Sequence, residues 1–193
     1  MTELLVACSL AGILIAAVAS EAARSHVALS SLQHATSTED DMRALQDTIS
    51  QHLKKAGYVY SSDLFTPFLT ASGTSPRPKN VVIAERSSEA LNSCVTFSYD
   101  KNSDGVASME QGELLGFRLN QNAIEYRVAG KTCEQGGWFD LTDPKTVKAT
   151  KFSIKLASHS SWGSAYELEI RLQSKVDPEV KSYKRFVVEV END

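Results

Sequence analysis

The feature that most constrains the fold is the amino terminus, where an apolar run passes directly into polar sequence that is also suited to helix. The apolar run extends from Leu4 to Ala19, and one acidic residue, Glu3, precedes it. The stretch from Ser20 to Ala56 contains neither glycine nor proline, and Gly57 then supplies a stop signal. The sequence therefore predicts one long helix whose first half is apolar.

The apolar run has a length that brings it close to spanning a bilayer. It is about 16 residues, or roughly 24 Å as a helix, against roughly 30 Å for the hydrocarbon core. A carboxylate at the bilayer centre costs at least about 2.5 kcal/mol by insertion scales, so Glu3 needs a partner if it enters lipid. We expect a transmembrane helix with an acidic residue that another group must neutralise.

Two other interpretations of this terminus stay open. A secretory signal cleaved after Ala19 would use the small residues Ala17 and Ala19, but such signals carry a cation before the apolar run, and here the first basic residue is Arg24. A lipoprotein would use Cys8, although the apolar region should precede that cysteine and here it follows. Both interpretations fit the sequence less well than a retained helix.

The second half of the helix should be partly buried. Apolar residues recur there at helical spacing and predict one face packed on a core: Met42, Leu45, Ile49, Leu53 and Ala56. The acidic segment from Thr36 to Asp41 interrupts this pattern. It fits a break with Thr38 as the N-cap, and it fits equally an exposed polar turn of an unbroken helix.

Beyond Gly57 the pattern changes to turns and alternating residues. Ser72 to Pro78 has the composition of a loop, and Asn120 to Asn122 predicts a hairpin between Leu115–Leu119 and Ala123–Val128. Later stretches alternate as strands with one solvent-facing side, with their apolar positions at Phe152, Ile154 and Leu156, at Tyr166, Leu168, Ile170 and Leu172, and at Phe186, Val188 and Val190.

These patterns predict an α+β fold in which a long helix packs against antiparallel sheet. We expect a membrane segment over residues 1–24, an amphipathic half of the same helix over 25–56 and a mainly β domain over 57–193. The length of 193 residues suffices for one hydrophobic core. The net charge of −4 supplies no broad basic field. Nucleic acid is therefore disfavoured as the main partner.

Cys94 and Cys133 are the natural pair among the three cysteines, because Cys8 lies inside the apolar run. In an oxidising compartment a disulfide between them would close a loop of about 39 residues and stabilise the fold by roughly 4 kcal/mol on the chain-entropy model. The alternative is a reactive thiol. Neither cysteine belongs to a C-x-x-C motif or an evident Cys/His arrangement, which favours the disulfide.

An Asp/Asn-rich segment has the spacing of a calcium loop. Asp100, Asn102 and Asp104 stand at positions one, three and five of such a loop, and Gly105 allows its sharp turn. Gln111 replaces the bidentate glutamate of position twelve. The further candidate ligands are the Val106 carbonyl, Ser108, Glu110 and Glu113. The alternative is a turn in which Asp100 and Asp104 accept hydrogen bonds from backbone amides.

Catalysis has little support in the sequence. The histidines have no metal-binding spacing, and no nucleophile elbow is present; they are His26, His34, His52 and His159. We therefore expect a protein that is not an enzyme.

The start of the chain, Met1 to Ala7, resembles that of type IV pilins and type II secretion pseudopilins. In that superfamily a leader ending in glycine is removed by a prepilin peptidase, the new amino terminus is methylated, and a glutamate is the fifth mature residue. Here Glu3 is the third residue and no leader glycine precedes it. The resemblance therefore places the given start two residues inside the mature chain.

Four further segments extend the resemblance to minor pilins of the PilW type, and within them to the prepilin peptidase-dependent protein B group: His52 to Tyr58, Cys94 to Asp100, Gly116 to Leu119 and Thr132 to Trp138. This resemblance implies a single-pass subunit of the bacterial inner membrane with a periplasmic domain. Such subunits join other minor pilins and the major pilin, prime pilus polymerisation and stay near the tip.

The resemblance also gives Glu3 a role. It implies that Glu3 neutralises the amino-terminal charge of a neighbouring subunit, which places Met1 and Glu3 together in the assembly element. A pseudopilin of a secretion system is one alternative. An anchored module that binds a surface, a glycan or DNA through the sheet or the loops near Trp138 and Trp162 is another.

Overall fold

The computed structural model describes residues 2–60 and 80–191, and its dominant element is one long helix. Helix α1 spans Thr2–Lys54, so its 53 residues extend about 80 Å. It closes with two tighter turns, in which the amides of Lys55 and Ala56 donate to the carbonyls of His52 and Leu53. The predicted long helix is confirmed over the described residues.

The helix is unbroken through the acidic segment, so the predicted break at Thr38 is absent, although Thr38 is buried and does not lie on an exposed turn. Thr36 and Thr38 donate their hydroxyls to carbonyls one turn back, those of Leu32 and His34, at 3.0 and 2.8 Å. These back-bonds satisfy the hydroxyls inside a continuing helix, which leaves Thr38 without the cap role.

Two antiparallel sheets complete the fold. The five-stranded sheet has the order β1-β2-β3-β4-β5, with β1 at Val82–Ala84, β2 at Cys94–Ser98, β3 at Leu114–Asn120, β4 at Ala123–Tyr126 and β5 at Phe139–Asp140. The three-stranded sheet has the order β6-β7-β8, with β6 at Val147–Ser160, β7 at Gly163–Ser174 and β8 at Lys181–Val190. The α+β fold predicted from the sequence is confirmed.

The core lies between the distal half of α1 and the inner faces of both sheets. The predicted helix stripe is buried, with Met42, Ile49, Leu53 and Ala56 at 0% exposure and Leu45 at 3%. Its partners come from strands β2 to β4 and β6 to β8 and form one cluster with the helix. The alternating apolar positions of β6, β7 and β8 face this core, except Leu156, which is exposed where β6 extends past it.

Polar contacts attach α1 to the end of the sheet formed by the β7–β8 turn. Ser31 donates its hydroxyl to the Asp177 carboxylate at 3.3 Å, and Ser182 donates to Glu39 at 2.7 Å. Lys184 forms an ion pair with Glu39 at 3.1 Å. The turn between β7 and β8 therefore lies at the end of the domain nearer the apolar half of the helix.

The strand predictions hold with small shifts of boundary. The hairpin at Asn120 to Asn122 is present, and β4 ends at Tyr126, two residues before the predicted limit. Strand β6 continues to Ser160, so His159 lies in a paired strand, opposite Ser164. The loop predicted at Ser72 to Pro78 lies outside the described residues.

Candidate functional site

The apolar half of α1 is the first candidate functional element. Its described apolar side chains are exposed, including Ile13 at 66%, Ile15 at 70% and Val18 at 69%. Within the described residues this helix is long and apolar enough to cross a membrane. Glu3 lies in its first turn with an exposed side chain, while Met1 lies outside the described residues.

The carboxylate of Glu3 stands where a helix favours negative charge. The first four amide N–H groups of a helix have no partner within it. A nearby carboxylate is therefore favourable there. Cys8 lies on the same helix.

The second element is a disulfide beside a buried ion pair. Cys94, in β2, and Cys133, before β5, are bonded with their Cα atoms 6.2 Å apart, which gives the predicted pairing a place in the fold. Trp138 packs against the disulfide, and the guanidinium of Arg118 lies 4.4 Å from the centre of the indole ring. The disulfide thus forms part of a small second core under the five-stranded sheet.

Arg118 ties this small core together. Its Nε donates to the Glu125 carboxylate at 2.6 Å, and its Nη1 donates to the carbonyls of Cys133 and Gln135 at 2.6 and 2.7 Å. The residues Arg118 and Glu125 are 1% and 7% exposed. A buried charge needs such complete partnering, because desolvation otherwise outweighs the attraction of the pair.

The sequence reasoning missed this ion pair, although a signal for it was present. The predicted turn at Asn120 to Asn122 fixes the register of β3 and β4, and that register places Arg118 directly opposite Glu125. Opposite charges at facing positions of a hairpin form a cross-strand pair. The burial of both groups depends on Cys133 and Trp138, which are distant in sequence.

The third element is the loop from Asp100 to Glu113, where backbone amides surround the carboxylates. Asp100 accepts hydrogen bonds from the amides of Asp104, Gly105 and Tyr60 at 3.2, 2.8 and 3.1 Å. Burial would raise the pKa of Asp100, but hydrogen bonds from backbone amides, led by that of Gly105, outweigh it and hold the pKa below its usual range.

Glu113 closes the loop from its far end. It is fully buried, and its two oxygens accept from the amides of Lys101 and Ser108 at 2.7 and 2.9 Å. Asp104 accepts from the side-chain amides of Gln111 and Asn102, and these two bonds are the main causes of its lowered pKa. Gln111, which departs from the calcium pattern, therefore has a structural partner.

The hydrogen bonds of this loop are those that the hydrogen-bonded turn predicts, because its inward carboxylates accept from backbone N–H groups. Such bonds do not by themselves prevent calcium binding, since each carboxylate oxygen has more than one lone pair. The described residues include no group of three His, Cys, Asp or Glu side chains arranged to hold a metal. Glu110 is exposed at the rim, and calcium binding stays a prediction for direct measurement.

The end of α1 is clamped against this loop. The Gly57 amide donates to the Ser98 carbonyl at 2.8 Å, and the Asp100 amide donates to the Tyr58 carbonyl at 2.9 Å. Gly57 has φ 79°, a left-handed conformation that glycine adopts without strain at a helix end. The disulfide strand, the loop and the helix therefore form one connected body.

The chain is similar to known proteins over most of its length. The profile of the family described as prepilin peptidase-dependent protein B matches residues 31–190. The chain belongs to this family. It is also 24% identical over 161 residues to the prepilin peptidase-dependent protein B of Escherichia coli strain K12, which covers 78% of this chain and 76% of that protein. No solved structure matches the chain.

The prepilin peptidase-dependent protein B match covers all of the soluble body described above. It includes the disulfide, the buried ion pair and the Asp100 loop, and it begins at residue 31, where α1 contacts the β7–β8 turn. The family name indicates a pathway that depends on prepilin peptidase. Glu3 and the apolar run lie outside the matched residues, so their pattern is an observation on this sequence alone.

Proposed function

We propose that this protein is a minor pilin, an inner-membrane subunit that helps to initiate and assemble a type IV pilus together with other minor pilins and the major pilin. The observation that carries the proposal is the continuity of α1. Its first half presents apolar side chains outward, and its second half is embedded in the core. One rigid element therefore links a membrane or filament environment to the soluble domain.

Glu3 has the assembly role in this proposal. In a bilayer its carboxylate is a cost, and a neighbouring amino terminus offsets that cost through an ion pair in a medium of low dielectric. The same helix would then leave the membrane and enter the filament with its charge compensated. Prepilin peptidase would act on the chain before assembly, followed by methylation of the amino terminus.

The soluble domain works by contact in this proposal and has no catalytic task. Three of its buried charged groups, Arg118, Glu125 and Glu113, serve hydrogen bonds within the fold. A related role as a pseudopilin of a secretion system would use the same helix. A second candidate function is a module that binds a surface or a glycan. It is favoured by Trp162, which is 87% exposed at the β6–β7 turn.

The proposal is tested in the host by exchanging Glu3→Ala in the chromosomal gene and counting pili by electron microscopy. We expect fewer pili, with an unchanged amount of folded, disulfide-bonded protein in the membrane fraction. Glu21→Ala is the matched control, because Glu21 is an exposed carboxylate of the same helix whose ion pair, with Arg24 at 3.2 Å, is local.

Two outcomes would redirect the proposal. Normal piliation in the Glu3→Ala strain, with the variant still present in pili, would count against the assembly role of Glu3. Normal piliation after deletion of the whole gene, combined with a loss of protein secretion, would favour the pseudopilin alternative.

A further inference from the structure

The outer face of the three-stranded sheet, which points away from α1, becomes strongly basic at one end. Paired residues across β6, β7 and β8 form rows on this face. The two rows nearest the β7–β8 turn are Lys148–Gln173–Lys181 and Lys151–Arg171–Tyr183. We call the cations of these rows the basic end: Lys148, Lys151, Arg171 and Lys181.

The basic end has too few anions to neutralise it. Glu169, in the next row, pairs with Lys151 at 2.5 Å and with Arg171 at 2.9 Å. Lys148 and Lys181 have no ion pair with any residue in the described part of the chain. Four cations thus share one carboxylate, in a protein whose net charge is −4.

The basic end is also concave. A hollow of about 320 Å³ lies among Thr150, Arg171, Gln173, Lys181 and Tyr183. Tyr183 is 51% exposed, and the Cζ atom of the Arg171 guanidinium lies 5.2 Å from the centre of its ring. The hollow therefore offers cations, an amide and a phenol to an acidic side chain.

An opposite charge excess lies on the helix side of the same sheet. Asp41 of α1 lies near Asp143 of the loop before β6 and follows Asp40 along the helix, and we call these three residues the acidic patch. Glu39 beside them is already paired with Lys184, but none of the three has an ion pair among residues 2–60 and 80–191. Burial, with the charges of Asp40 and Asp143, raises the pKa of Asp41.

The fold keeps these two surfaces apart. The helix packs on the inner face of the sheet, whereas the basic end is on its outer face, and packed layers are about 10 Å apart. A small hollow of about 100 Å³ between Asp41, Thr48 and Asp143 leaves room for a lysine terminus. The two charge excesses can therefore meet only between molecules.

We propose that the basic end of one copy binds the acidic patch of a second copy, head to tail. The contact is heterologous, so each bound pair leaves one basic end and one acidic patch free for further copies. This proposal goes beyond the pilin role and does not rest on it, because the contact uses only the soluble domain.

The test uses two charge-reversed versions of the full chain in non-ionic detergent, which covers the apolar helix. In Lys148→Glu/Lys181→Glu both surfaces are acidic, and in Asp40→Lys/Asp41→Lys both are basic. We expect each variant alone to associate at least about tenfold more weakly than the natural chain. An equimolar mixture should recover association, because every contact between the two variants joins opposite charges.

Sedimentation equilibrium measures the association, and salt provides a second readout. Raising NaCl from about 0.1 to about 1 M shortens the Debye length from about 10 to about 3 Å and should dissociate the natural chain. The control Lys54→Glu/Lys131→Glu has the same charge change outside both surfaces and should associate normally. A neutral Lys148→Gln/Lys181→Gln variant repeats the test should the reversed chain fail to fold.

Three results would overturn the proposal. The natural chain could be monomeric at every concentration in low salt, the mixture could associate no better than its components, or the control could weaken association as much as the reversed chains. The last two results would indicate a general charge effect or a different interface. None of these results bears on piliation.

Discussion

At the scale of single residues, His52 is a group whose protonation the fold opposes. Its Nδ1 lies 2.8 Å from the hydroxyl of Tyr99, which is itself 5% exposed. Burial, then the charges of Lys101 and Lys55, lowers the pKa of His52 below 6.5. Burial and Glu113 raise the pKa of Tyr99, so its phenol stays protonated and can donate to the neutral imidazole.

We expect this arrangement to make stability depend on pH below about 6.5. The unfolded chain takes up a proton on His52 at a higher pH than the folded chain does. The contribution of His52 to the free energy of unfolding is therefore fully present above pH 6.5. It falls as the pH drops from 6.5 towards the lowered pKa of the folded chain. Urea denaturation between pH 7.5 and pH 5 measures the slope.

His52→Asn is the matched variant for this measurement, because the amide oxygen can accept from Tyr99 and does not titrate. Its stability should fall less steeply between pH 7 and pH 5 than that of the natural chain. An identical slope in both chains would assign the pH dependence to other groups.

The Asp100 loop depends on the charge of Glu113. Replacing this buried carboxylate by glutamine exchanges an acceptor oxygen for an amide nitrogen that faces the backbone N–H groups. We expect Glu113→Gln to lower the free energy of unfolding by about 2 kcal/mol. Glu110→Gln, at the exposed rim of the same loop, should change it by less than about 0.5 kcal/mol.

Calcium binding can be measured on the same variants. We expect the melting temperature of the natural chain to be the same in calcium and in chelator, since the amides already satisfy Asp100 and Glu113. A calcium-dependent rise that Asp104→Asn removes would restore the metal interpretation of the sequence pattern.

At the scale of elements, β3 approaches β2 so closely at Gly116 that a side chain has no room. A Cβ on Gly116 would lie 2.4 Å from the carbonyl oxygen of Val95 and 3.2 Å from the Cα of Thr96. Since backbone atoms cannot move aside cheaply, we expect Gly116→Ala to cost about 1 to 3 kcal/mol. Gly136→Ala, with nothing within 4 Å, is the control that should stay near the natural stability.

The sequence predicts elements well where a periodic pattern has one solution. The buried stripe of α1 and the alternation in β7 and β8 follow directly from helical and strand periods. The acidic segment at Thr36 to Asp41 was ambiguous, because capping residues also occur inside helices. Thr38 is 2% exposed in the folded chain, and no local sequence pattern contains that burial.

At the scale of the whole molecule, the disulfide joins parts of the chain that are 39 residues apart. Its pairing could be predicted by counting cysteines, but its place beside Trp138 and Arg118 could not, because those contacts arise from tertiary packing. The calcium hypothesis had a similar limit. The spacing of Asp100, Asn102 and Asp104 was correctly recognised, whereas the direction of the surrounding amides is a property of the folded loop.

We expect the double variant Cys94→Ala/Cys133→Ala to lose about 2 to 5 kcal/mol of stability. Removal of the disulfide opens the long loop and leaves Trp138 with a cavity beside it. Thermal unfolding with and without reductant checks this, and reductant should reproduce the loss in the natural chain. Cys8→Ala should keep the natural melting temperature in oxidising buffer, and a loss there would show that the pairing is different.

The molecule as a whole is a long helix with two sheets packed on its distal half, and its role as a pilus subunit is the central proposal. The most direct measurement is quantitative mass spectrometry of pili sheared from the host and purified. We expect this chain in the pilus fraction, far less abundant than the major pilin, and absent from the filaments of a Glu3→Ala strain. Detection in the membrane fraction alone, beside a normal yield of pili, would contradict the assignment.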